Sequence, residues 1–320
     1  MGTSADRALE DAIKNAGFRK NIGPSSSTLL LAGFAKCISY LQPTPAMPTE
    51  EVITERRSQR RGSKYGEGGD KTRVLEKYHY RDVGEQGTLE WRRFIIDEDD
   101  VEISYWHDLP LVAGSGLLHA FIEIPRDTKA KFEVNPLETT NPMKQDEKKG
   151  KPRYYNIPIK WNYGAFPQTW EQPEHTWKGL EGYAGDDDPV DVVDLSRFHV
   201  PTGSVIVVKP LAALAMIDEG EVDWKVIVIN VADPLADKVN TKDDAELYFP
   251  GEIDAIREWF TWYKATDPET GARDESKKNV FGFDGKALDT IQTWEVLREA
   301  HGTWTNLVTR QVKAGHRKLA

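Results

Sequence analysis

Cysteine is almost absent from this chain, and long apolar runs are missing. Cys37 is the only cysteine among 320 residues, which excludes an internal disulfide and a cysteine-rich zinc site and favours a reducing compartment. No apolar stretch approaches the roughly 20 residues that a membrane-spanning helix requires. The composition is nevertheless 39% hydrophobic with ten tryptophans. The sequence therefore predicts one large folded core and no membrane segment.

An excess of basic residues is also lacking. The chain has 42 Lys and Arg against 52 Asp and Glu, a formal net charge of −10, whereas nucleic-acid-binding domains are usually basic. Nucleic acid is therefore not the expected partner. A nucleophile elbow is absent, and GEGGDKT lacks the Gly-Lys pair of a phosphate-binding P-loop. The seven histidines are scattered along the chain, and we interpret them as structural or exposed.

The first 75 residues differ in texture from the rest of the chain. MGTSADRALEDAIKNAGF favours a short amphipathic helix, and ERRSQRRGSKYGEGGDKTR (55–73) is charged, glycine-rich and typical of a flexible linker. The sequence therefore predicts a partly flexible N-terminal extension over 1–75 and a folded domain over 76–310. A flexible basic tail is predicted over 311–320.

The N-terminal extension is a candidate targeting segment. Arg7, Lys14 and several serines are typical of a mitochondrial presequence, whereas Asp6, Glu10 and Asp11 are not. Because the match is partial, we predict a cytoplasmic protein and keep the mitochondrial matrix as the alternative.

From about residue 76, short β-type runs alternate with polar turns. Such a series predicts a closed or strongly bent sheet. The runs are TLEWRRFII (88–96), VEISYW (101–106), LLHAFIEIP (117–125), SVIVVKP (204–210) and WKVIVIN (224–230).

Two amphipathic helices are predicted in the C-terminal half, within DAELYFPGEIDAIREWFTWYKA (244–265) and KALDTIQTWEVLREAHGTWTNLV (286–308). Apolar residues recur there at three- or four-residue steps. The first stripe comprises Ile253, Ile256, Phe260 and Tyr263, and the second comprises Leu288, Ile291, Trp294, Leu297, His301 and Trp304. The expected fold is mainly β with packed helices, of the α+β class.

The stretch GDDDPVDVVDL holds five aspartates in eleven residues. Asp186 and Asp188 lie two residues apart, so both carboxylates point to one side of an extended chain, and Pro189 favours that conformation at Asp188. Asp191 begins VDVV, which predicts a buried strand. Three carboxylates at a strand entrance suit a hard divalent cation, although not in an EF-hand, because the loop positions that require Gly and Glu hold Asp and Arg. A solvated acidic loop explains the charge cluster alone equally well.

A second acidic group lies in LAALAMIDEGEVDWKVIVIN, which is typical of two strands joined by a tight polar turn. Such a hairpin would bring Asp218 and Asp223 face to face, and Lys225 would share one side of its strand with Asp223. Asp-Glu-Gly is also an ordinary turn sequence, so a purely structural role remains open here.

Two further fragments carry polar residues in patterned positions. In FIEIPRDTKAKFEV, Glu123 alternates with apolar residues, and Lys131 and Glu133 form a pair on one face of an extended chain. In KKGKPRYYNIPIKWNYGAFPQTW, Arg153 and Tyr163 flank a proline- and aromatic-rich connection. Each fragment taken alone is compatible with surface decoration.

Together these fragments closely resemble the soluble inorganic pyrophosphatases of the fungal and animal type. EIPRDTKAKFEV, WNYGAFPQTW, GDDDPVDVVDL and DEGEVDWKVIVIN occur in the family's order, and the Asp-x-Asp-Pro-x-Asp core is similar to its signature. The similarity runs from about Tyr78 to beyond Trp304 and includes HDLP, NPMKQDEKKGK, LYFPG and EWFTWYK. The resemblance implies an OB-like closed β-barrel core and the hydrolysis of diphosphate to two orthophosphates. A catalytically silent scaffold on the same fold is the alternative.

The resemblance also implies a role for individual residues. The implied general base is Asp188, and Glu123 is a supporting carboxylate. The implied direct metal ligands are Asp186, Asp191 and Asp223, with Asp218 at a further ion and Glu133 acting partly through water. The implied phosphate contacts are Lys131, Arg153, Tyr163, Lys225, Tyr263 and Lys264.

Charge balance agrees with a metal-dependent site. The implied set contains seven carboxylates but only four lysine or arginine side chains, and diphosphate adds further negative charge. Roughly three divalent cations would neutralise such a complex, and the resemblance implies about three to four Mg²⁺ ions. The all-oxygen ligand set favours Mg²⁺, or Mn²⁺ as a substitute, over zinc. The resemblance further implies a homodimer.

Overall fold

The computed structural model describes residues 4–15, 75, 77–114 and 116–319; Cys37 and the predicted linker lie outside these ranges. The described residues contain four α-helices: α1 (Ser4–Asn15), α2 (Lys242–Tyr248), α3 (Glu252–Trp262) and α4 (Thr290–Val308). Their strands are β1 (His79–Val83), β2 (Arg92–Ile96), β3 (Glu102–Ile103), β4 (Val112–Gly114), β5 (Leu117–Ile124), β6 (Thr128–Ala130), β7 (Phe132–Val134), β8 (Met143–Gln145), β9 (Glu147–Lys148), β10 (Lys151–Pro152), β11 (Tyr154–Ile159), β12 (Asn162–Ala165), β13 (Ala184–Gly185), β14 (Asp191–Asp194), β15 (Val205–Asp218), β16 (Glu221–Asn230) and β17 (Val280–Phe281). None of these helices combines the length and the apolar character needed to cross a bilayer.

Five strands close into a barrel, which confirms the predicted OB-like core. The order around the barrel is β5, β12, β14, β16 and β15, and β15 returns to pair with β5. All of these pairings are antiparallel except that of β14 with β16. Closure leaves the barrel without a free edge.

Barrel closure depends on the length and curvature of β15. This strand pairs with β5 through Val205 to Val208 and with β16 as far as the hairpin turn. Its register shifts between Pro210 and Ala212, and such an irregularity bends a strand and accommodates a proline. One strand can therefore contribute to two sides of the barrel.

A glycine brings β12 close to β5. A Cβ atom on Gly164 would lie 1.9 Å from the carbonyl oxygen of Phe121, so no other residue fits without moving the backbone. The register between these strands shifts at the same point, between Tyr163 and Gly164. This irregularity sits next to Tyr163, one of the predicted site residues.

Three smaller sheets accompany the barrel. Strands β1, β2, β8 and β7 form an antiparallel sheet with β3 added to β2, while β9 pairs with β10 and β6 with β11. Buried Trp91, Tyr105, Phe121 and Phe132 belong to the core cluster between this sheet and the barrel. Strands β6 and β7 therefore pack beside the barrel. Lys131 lies between these two strands, and β7 carries Glu133.

The first predicted helix is in fact two helices. Helix α2 ends before Phe249, and α3 begins after Gly251, which has φ 78°. Pro250 cannot donate a helical hydrogen bond and Gly251 tolerates the left-handed conformation, so the chain breaks here. The apolar stripe predicted for α3 is confirmed, because Ile253, Ile256 and Phe260 are buried.

The second predicted helix starts later than its apolar stripe. Asp289 caps α4 by accepting a hydrogen bond from the Gln292 amide, and the Gln292 side chain accepts one from the Asp289 amide. Leu288 therefore precedes the helix, and Ile291 is 40% exposed. The rest of the stripe is buried as predicted: Trp294, Leu297, His301 and Trp304.

Helix α1 is packed onto the folded domain. Its residues Leu9 and Ala12 belong to the largest core cluster, which also contains residues of β5, β15, β16 and α4. The helix contacts β4 and α4. The helix predicted for the first residues is therefore present, and its apolar face packs against β4, α4 and the core cluster.

Candidate active site

Two parallel neighbours, β14 and β16, bring acidic and basic residues together. Their register places Asp191 opposite Lys225, and Asp223 lies two residues earlier on the same side of β16. The Nζ atom of Lys225 contacts both Asp191 and Asp223 and lies 3.3 Å from the Tyr163 hydroxyl. Tyr163 in turn donates a hydrogen bond to Asp191.

Lys225 is buried with only 1% of its surface exposed. Burial alone would lower the pKa of Lys225, but the neighbouring Asp191 and Asp223 outweigh this effect and raise it well above its usual range. The lysine therefore stays charged inside the protein and holds two of the predicted metal ligands near each other.

The loop before β14 presents two aspartates to one side. Asp187 adopts φ 78°, and the Asp188 amide donates to the Asp186 side chain at 3.1 Å. The backbone is fixed by two hydrogen bonds with Glu171: Asp187 donates to its carbonyl, and Glu171 donates to that of Asp188. Asp186 and Asp188 line the same cavity, whereas Asp187 does not.

Crowding raises the pKa values of these carboxyl groups. Desolvation by the cavity walls, followed by the Glu133 charge, raises the pKa of Asp188 to about 7, although the residue stays exposed to the cavity. Burial also raises the pKa of Asp223 to about 7, with Asp191 adding to the shift and Lys225 opposing it. The pKa of Asp186 lies well above its ordinary value because of burial and the nearby Asp223. Desolvation is the largest cause for all three groups, and neighbouring carboxylates add to it.

A cationic wall faces the aspartates from β6, β7 and the strands that follow. Lys131 lies 2.6 Å from Glu133 and 3.1 Å from Asp146, and Arg153 lies 3.0 Å from the same Asp146 oxygen. Asp146 thus holds Lys131 and Arg153 together. Glu123 accepts a hydrogen bond from the Val134 amide at 3.0 Å and thereby fixes β7, which carries Glu133.

A third wall consists of the end of β15 and the residues after α3. Lys264 contacts Asp218 at 2.7 Å, and the Tyr263 hydroxyl lies 3.4 Å from the same carboxylate. Tyr263 is 7% exposed and packs in the core with α3. Its ring therefore serves the core while its hydroxyl faces the site.

The hairpin register differs from the sequence prediction. Asp218 pairs with Glu221, whereas Asp223 pairs with Met216. The expected face-to-face arrangement of Asp218 and Asp223 is wrong, because the turn contains only two residues, which shifts the pairing by one step on each side. The two aspartates are diagonal neighbours on one face of the sheet.

These walls enclose a cavity of about 390 Å³, which we name the catalytic cavity. All the predicted site residues except Lys225 line it, and Lys225 is buried in contact with three of them: Asp191, Asp223 and Tyr163. Nine carboxylates and four cationic side chains line the cavity. Its lining is therefore strongly negative.

An adjoining cavity of about 1060 Å³ has the opposite charge, and we name it the basic entrance. It shares Arg153, Tyr263 and Lys264 with the catalytic cavity. Seven cationic side chains and two acidic ones line it. Three of the lysines belong to the β9–β10 hairpin: Lys148, Lys149 and Lys151.

The lining of the catalytic cavity fits hard divalent cations. Its acidic donors are all oxygen atoms, which Mg²⁺ prefers, and its nine carboxylates outnumber its four cationic side chains. Within the described residues, no group of three or more acidic, histidine or cysteine side chains already has metal-binding geometry. Lys225, Lys131 and Lys264 instead pair with the carboxylates.

Three residues at the site were missed by the sequence prediction. Asp146 joins two cationic residues, Glu171 is buried and accepts from the Trp224 amide, and Tyr155 lines both cavities. Burial and the nearby Asp186 raise the pKa of Glu171 well above its usual range. Asp146 lies within the NPMKQDEKKGK fragment, so its acidic character was visible, but its partners were not.

Carboxylates suited to Mg²⁺ lie beside lysine, arginine and tyrosine side chains in this cavity. Such an arrangement is typical of enzymes that act on phosphate compounds. The inorganic pyrophosphatase family model matches residues 120–304, more than half of the chain. The chain belongs to the inorganic pyrophosphatases, which depend on divalent metal ions and hydrolyse diphosphate to orthophosphate.

Individual relatives agree over most of their length. Soluble inorganic pyrophosphatase 6, chloroplastic, of Arabidopsis thaliana is 44% identical over 239 residues, covering 75% of this chain and 77% of the relative. Inorganic pyrophosphatase of Neurospora crassa is 42% identical and covers 76% and 83%. The crystal structure of type I inorganic pyrophosphatase from Toxoplasma gondii superposes with a TM-score of 0.66 at 38% identity, covering 72% of this chain and 99% of that one.

Proposed function

We propose that diphosphate hydrolysis takes place in the catalytic cavity, with Asp188 as the general base. This proposal rests on one observation: carboxylates suited to metal ions and cationic side chains suited to phosphate line the same cavity. Asp188 and all the predicted metal ligands line this cavity together with Lys131, Arg153 and Lys264. Glu133 and Asp218 pair directly with Lys131 and Lys264. No observation favours the scaffold alternative.

Asp188 is suited to accept a proton from the attacking water. Although Asp188 is exposed to the cavity, the cavity walls and the Glu133 charge raise its pKa to about 7, and a base that titrates near the working pH is efficient. The water oxygen forms a bond to one phosphorus, the bridging P–O bond breaks, and the second phosphate leaves with the bridging oxygen. The proton of the water passes to Asp188.

The basic residues bind and orient the substrate. Lys131 and Arg153 donate to phosphate oxygens from one wall, and Tyr263 and Lys264 donate from another. Tyr163 and Lys225 complete this set at the base of the cavity, where Lys225 also keeps Asp191 and Asp223 close.

The predicted metal ligands would hold about three to four Mg²⁺ ions with substrate present, or Mn²⁺ as a substitute. When bound, the ions lower the pKa of the attacking water and neutralise phosphate charge. The residues for this role are Asp186, Asp191, Asp218, Asp223 and Glu133, with Glu123 as support. Calorimetric titration of the protein with Mg²⁺ and a non-hydrolysed diphosphate analogue would count the ions, and a stoichiometry of one would contradict the assignment.

The decisive experiment compares phosphate release from diphosphate by the wild type and Asp188→Asn. Removing a general base typically costs at least about 100-fold in rate, so turnover should fall by that amount while calorimetric Mg²⁺ binding remains. Asp99→Asn, an exposed aspartate outside the cavity, is the control. Equal rates for wild type and Asp188→Asn would remove the base role, and an inactive wild type would favour the scaffold.

Assembly and compartment are proposed on separate grounds. We infer a homodimer from the family resemblance, which light scattering would test. We also infer a cytoplasmic protein, because Leu9 and Ala12 of α1 are buried against the domain and a cleaved presequence would expose that surface. A relative named chloroplastic makes an organelle the alternative. A fluorescent reporter fused after residue 75 would distinguish the two compartments.

A further inference from the structure

The chain returns to the catalytic cavity after α4. Arg310 adopts φ 60°, and the Gln311 amide donates to the Asn306 carbonyl at 2.8 Å, which ends the helix and reverses the chain. The residues that follow, 311–319, are named the tail segment. His316 of this segment lines the catalytic cavity.

The tail segment is held in place by the protein around it. The Lys318 amide donates to the Pro136 carbonyl at 2.7 Å, and the Asn141 side chain donates to the Lys318 carbonyl at 3.1 Å. Leu319 packs against the third core cluster. These contacts differ from the loose basic tail that the sequence predicts, since an apolar residue and backbone groups anchor it.

Arg317 is the central residue of this contact. Its side chain is only 9% exposed, its guanidinium lies 5.0 Å from the centre of the Trp170 ring, and Nη1 donates to the Ala314 carbonyl at 2.8 Å. Nη2 contacts the carboxylate of Asp187. A guanidinium that stacks on an aromatic ring and pairs with a carboxylate is fixed in orientation.

Asp187 stands between Asp186 and Asp188 but faces the other way. Its carboxylate accepts from the Trp170 indole at 2.9 Å as well as from Arg317. Its φ of 78° is uncommon for a residue with a side chain and persists where surrounding contacts hold it. Because this conformation turns Asp187 away, its two neighbours can both face the cavity.

We propose that Arg317 is a positioning residue that clamps Asp187 and so keeps Asp186 and Asp188 directed into the catalytic cavity. The proposal rests on the proposed function, since it concerns the same loop. The positive charge of Arg317 also offsets one of three consecutive aspartates, which lowers their mutual repulsion. The tail segment is therefore part of the active site although it supplies neither the base nor a metal ligand.

The test replaces Arg317 by Met, which keeps much of the stem but removes the guanidinium. Changes in residues that orient metal ligands typically cost 10- to 100-fold in metal affinity or activity. Arg317→Met should raise the Mg²⁺ dissociation constant measured by calorimetry without substrate by about tenfold, and lower kcat for diphosphate similarly. Arg317→Lys should show an effect between those of the wild type and Arg317→Met, because lysine keeps the charge but lacks the planar guanidinium that stacks on Trp170.

Asp187→Asn should reproduce the effect of Arg317→Met, and the double variant should be no worse than the more affected single variant. A matched control is Arg273→Met. Arg273 also pairs with a carboxylate, Glu258, and stacks on a tryptophan, Trp262, but lines neither cavity. It should leave Mg²⁺ binding unchanged.

Thermal unfolding of each variant separates positioning from general stability. If Arg317→Met binds Mg²⁺ and turns over like the wild type, the proposal is wrong while the proposed function stands. It is equally wrong if Arg317→Met merely lowers the unfolding temperature and is fully active well below it. A wild type that binds Mg²⁺ but releases no phosphate would instead contradict the proposed function.

Discussion

Lys225 carries its charge in the interior of the protein, which is costly unless partners compensate it. Asp191, Asp223 and Tyr163 supply that compensation. Replacing Lys225 alone would leave two buried carboxylates without a counter-charge. The sequence places Lys225 and Asp223 on one side of a strand, but it does not indicate their burial. That property arises from the barrel that surrounds them.

His119 shows how burial makes stability depend on pH. It is buried, its Nδ1 lies 2.6 Å from the Pro110 carbonyl, and burial lowers its pKa to about 4. Between pH 6.5 and 4, His119 is therefore protonated in the unfolded chain but still neutral in the folded protein. This contribution to stability is complete above pH 6.5 and falls by roughly 3 kcal/mol as the pH drops to 4.

Urea unfolding at several pH values would measure this effect as a difference between wild type and His119→Asn. The variant is expected to be less stable overall but to lose less stability on acidification. Carboxyl groups that titrate in the same range contribute equally to both proteins and cancel. Parallel pH curves would show that His119 does not contribute.

At the scale of elements, local signals decided which predictions succeeded. The stripe Ile253, Ile256 and Phe260 predicted α3 because helical periodicity reports the buried face directly. The break at Pro250 was overlooked, although proline followed by glycine is a strong interruption signal. The cap at Asp289 fixes the start of α4, so Leu288 lies before the helix although it belongs to the predicted apolar stripe.

The grouping of the predicted site residues has a different basis. Spacing of two residues correctly placed Asp223 with Lys225 on a common face, because strand geometry is local. Asp186 and Asp188 also line one cavity, but through a bend at Asp187, which adopts φ 78° in place of the predicted extended conformation. Asp146, Lys131 and Arg153 lie in three separate connections between strands, which no periodicity links. Likewise, nothing local indicates that Arg317 reaches Asp187, which is 130 positions earlier. Non-local contacts require the closed barrel to be known.

The packing of α1 predicts that a short segment near the start of the chain stabilises the whole domain. Leu9 is buried in the largest core cluster, and replacing a buried leucine by alanine typically costs about 2 kcal/mol or more. Leu9→Ala should lower the free energy of unfolding of the catalytic domain by that amount, measured by urea denaturation followed through tryptophan fluorescence.

Glu10→Ala is the matched control for this experiment. It changes the next residue of the same helix, but its side chain is exposed, so its effect should be within about 0.5 kcal/mol. Diphosphate turnover by the folded protein should be the same in both variants. If Leu9→Ala is as stable as Glu10→Ala, α1 does not stabilise the domain.

At the scale of the whole molecule, the charge distribution matters more than the total charge. A net charge of −10 and a strongly negative catalytic cavity would together repel diphosphate. The basic entrance lies directly beside that cavity and shares three predicted phosphate ligands with it. A local region of opposite sign can concentrate and guide an ionic substrate. This juxtaposition appears only in the folded chain.

Electrostatic guidance predicts a dependence on salt. Neutralising Lys148, Lys149 and Lys151 together by Gln should lower kcat/KM for diphosphate about tenfold at low ionic strength. The value of kcat should stay unchanged, because these side chains line only the entrance. At high ionic strength the difference should shrink, since charges further apart than about 10 Å are screened at 0.1 M salt.

The matched control neutralises three exposed lysines that line neither cavity: Lys160, Lys178 and Lys238. Both triple variants have the same net charge, so an effect of total charge would lower kcat/KM equally in the two. Guidance by the basic entrance instead requires that only the hairpin variant loses rate and that its salt dependence becomes flatter. Steady-state kinetics over a range of salt concentrations, at fixed free Mg²⁺, decides between a local field and a global one.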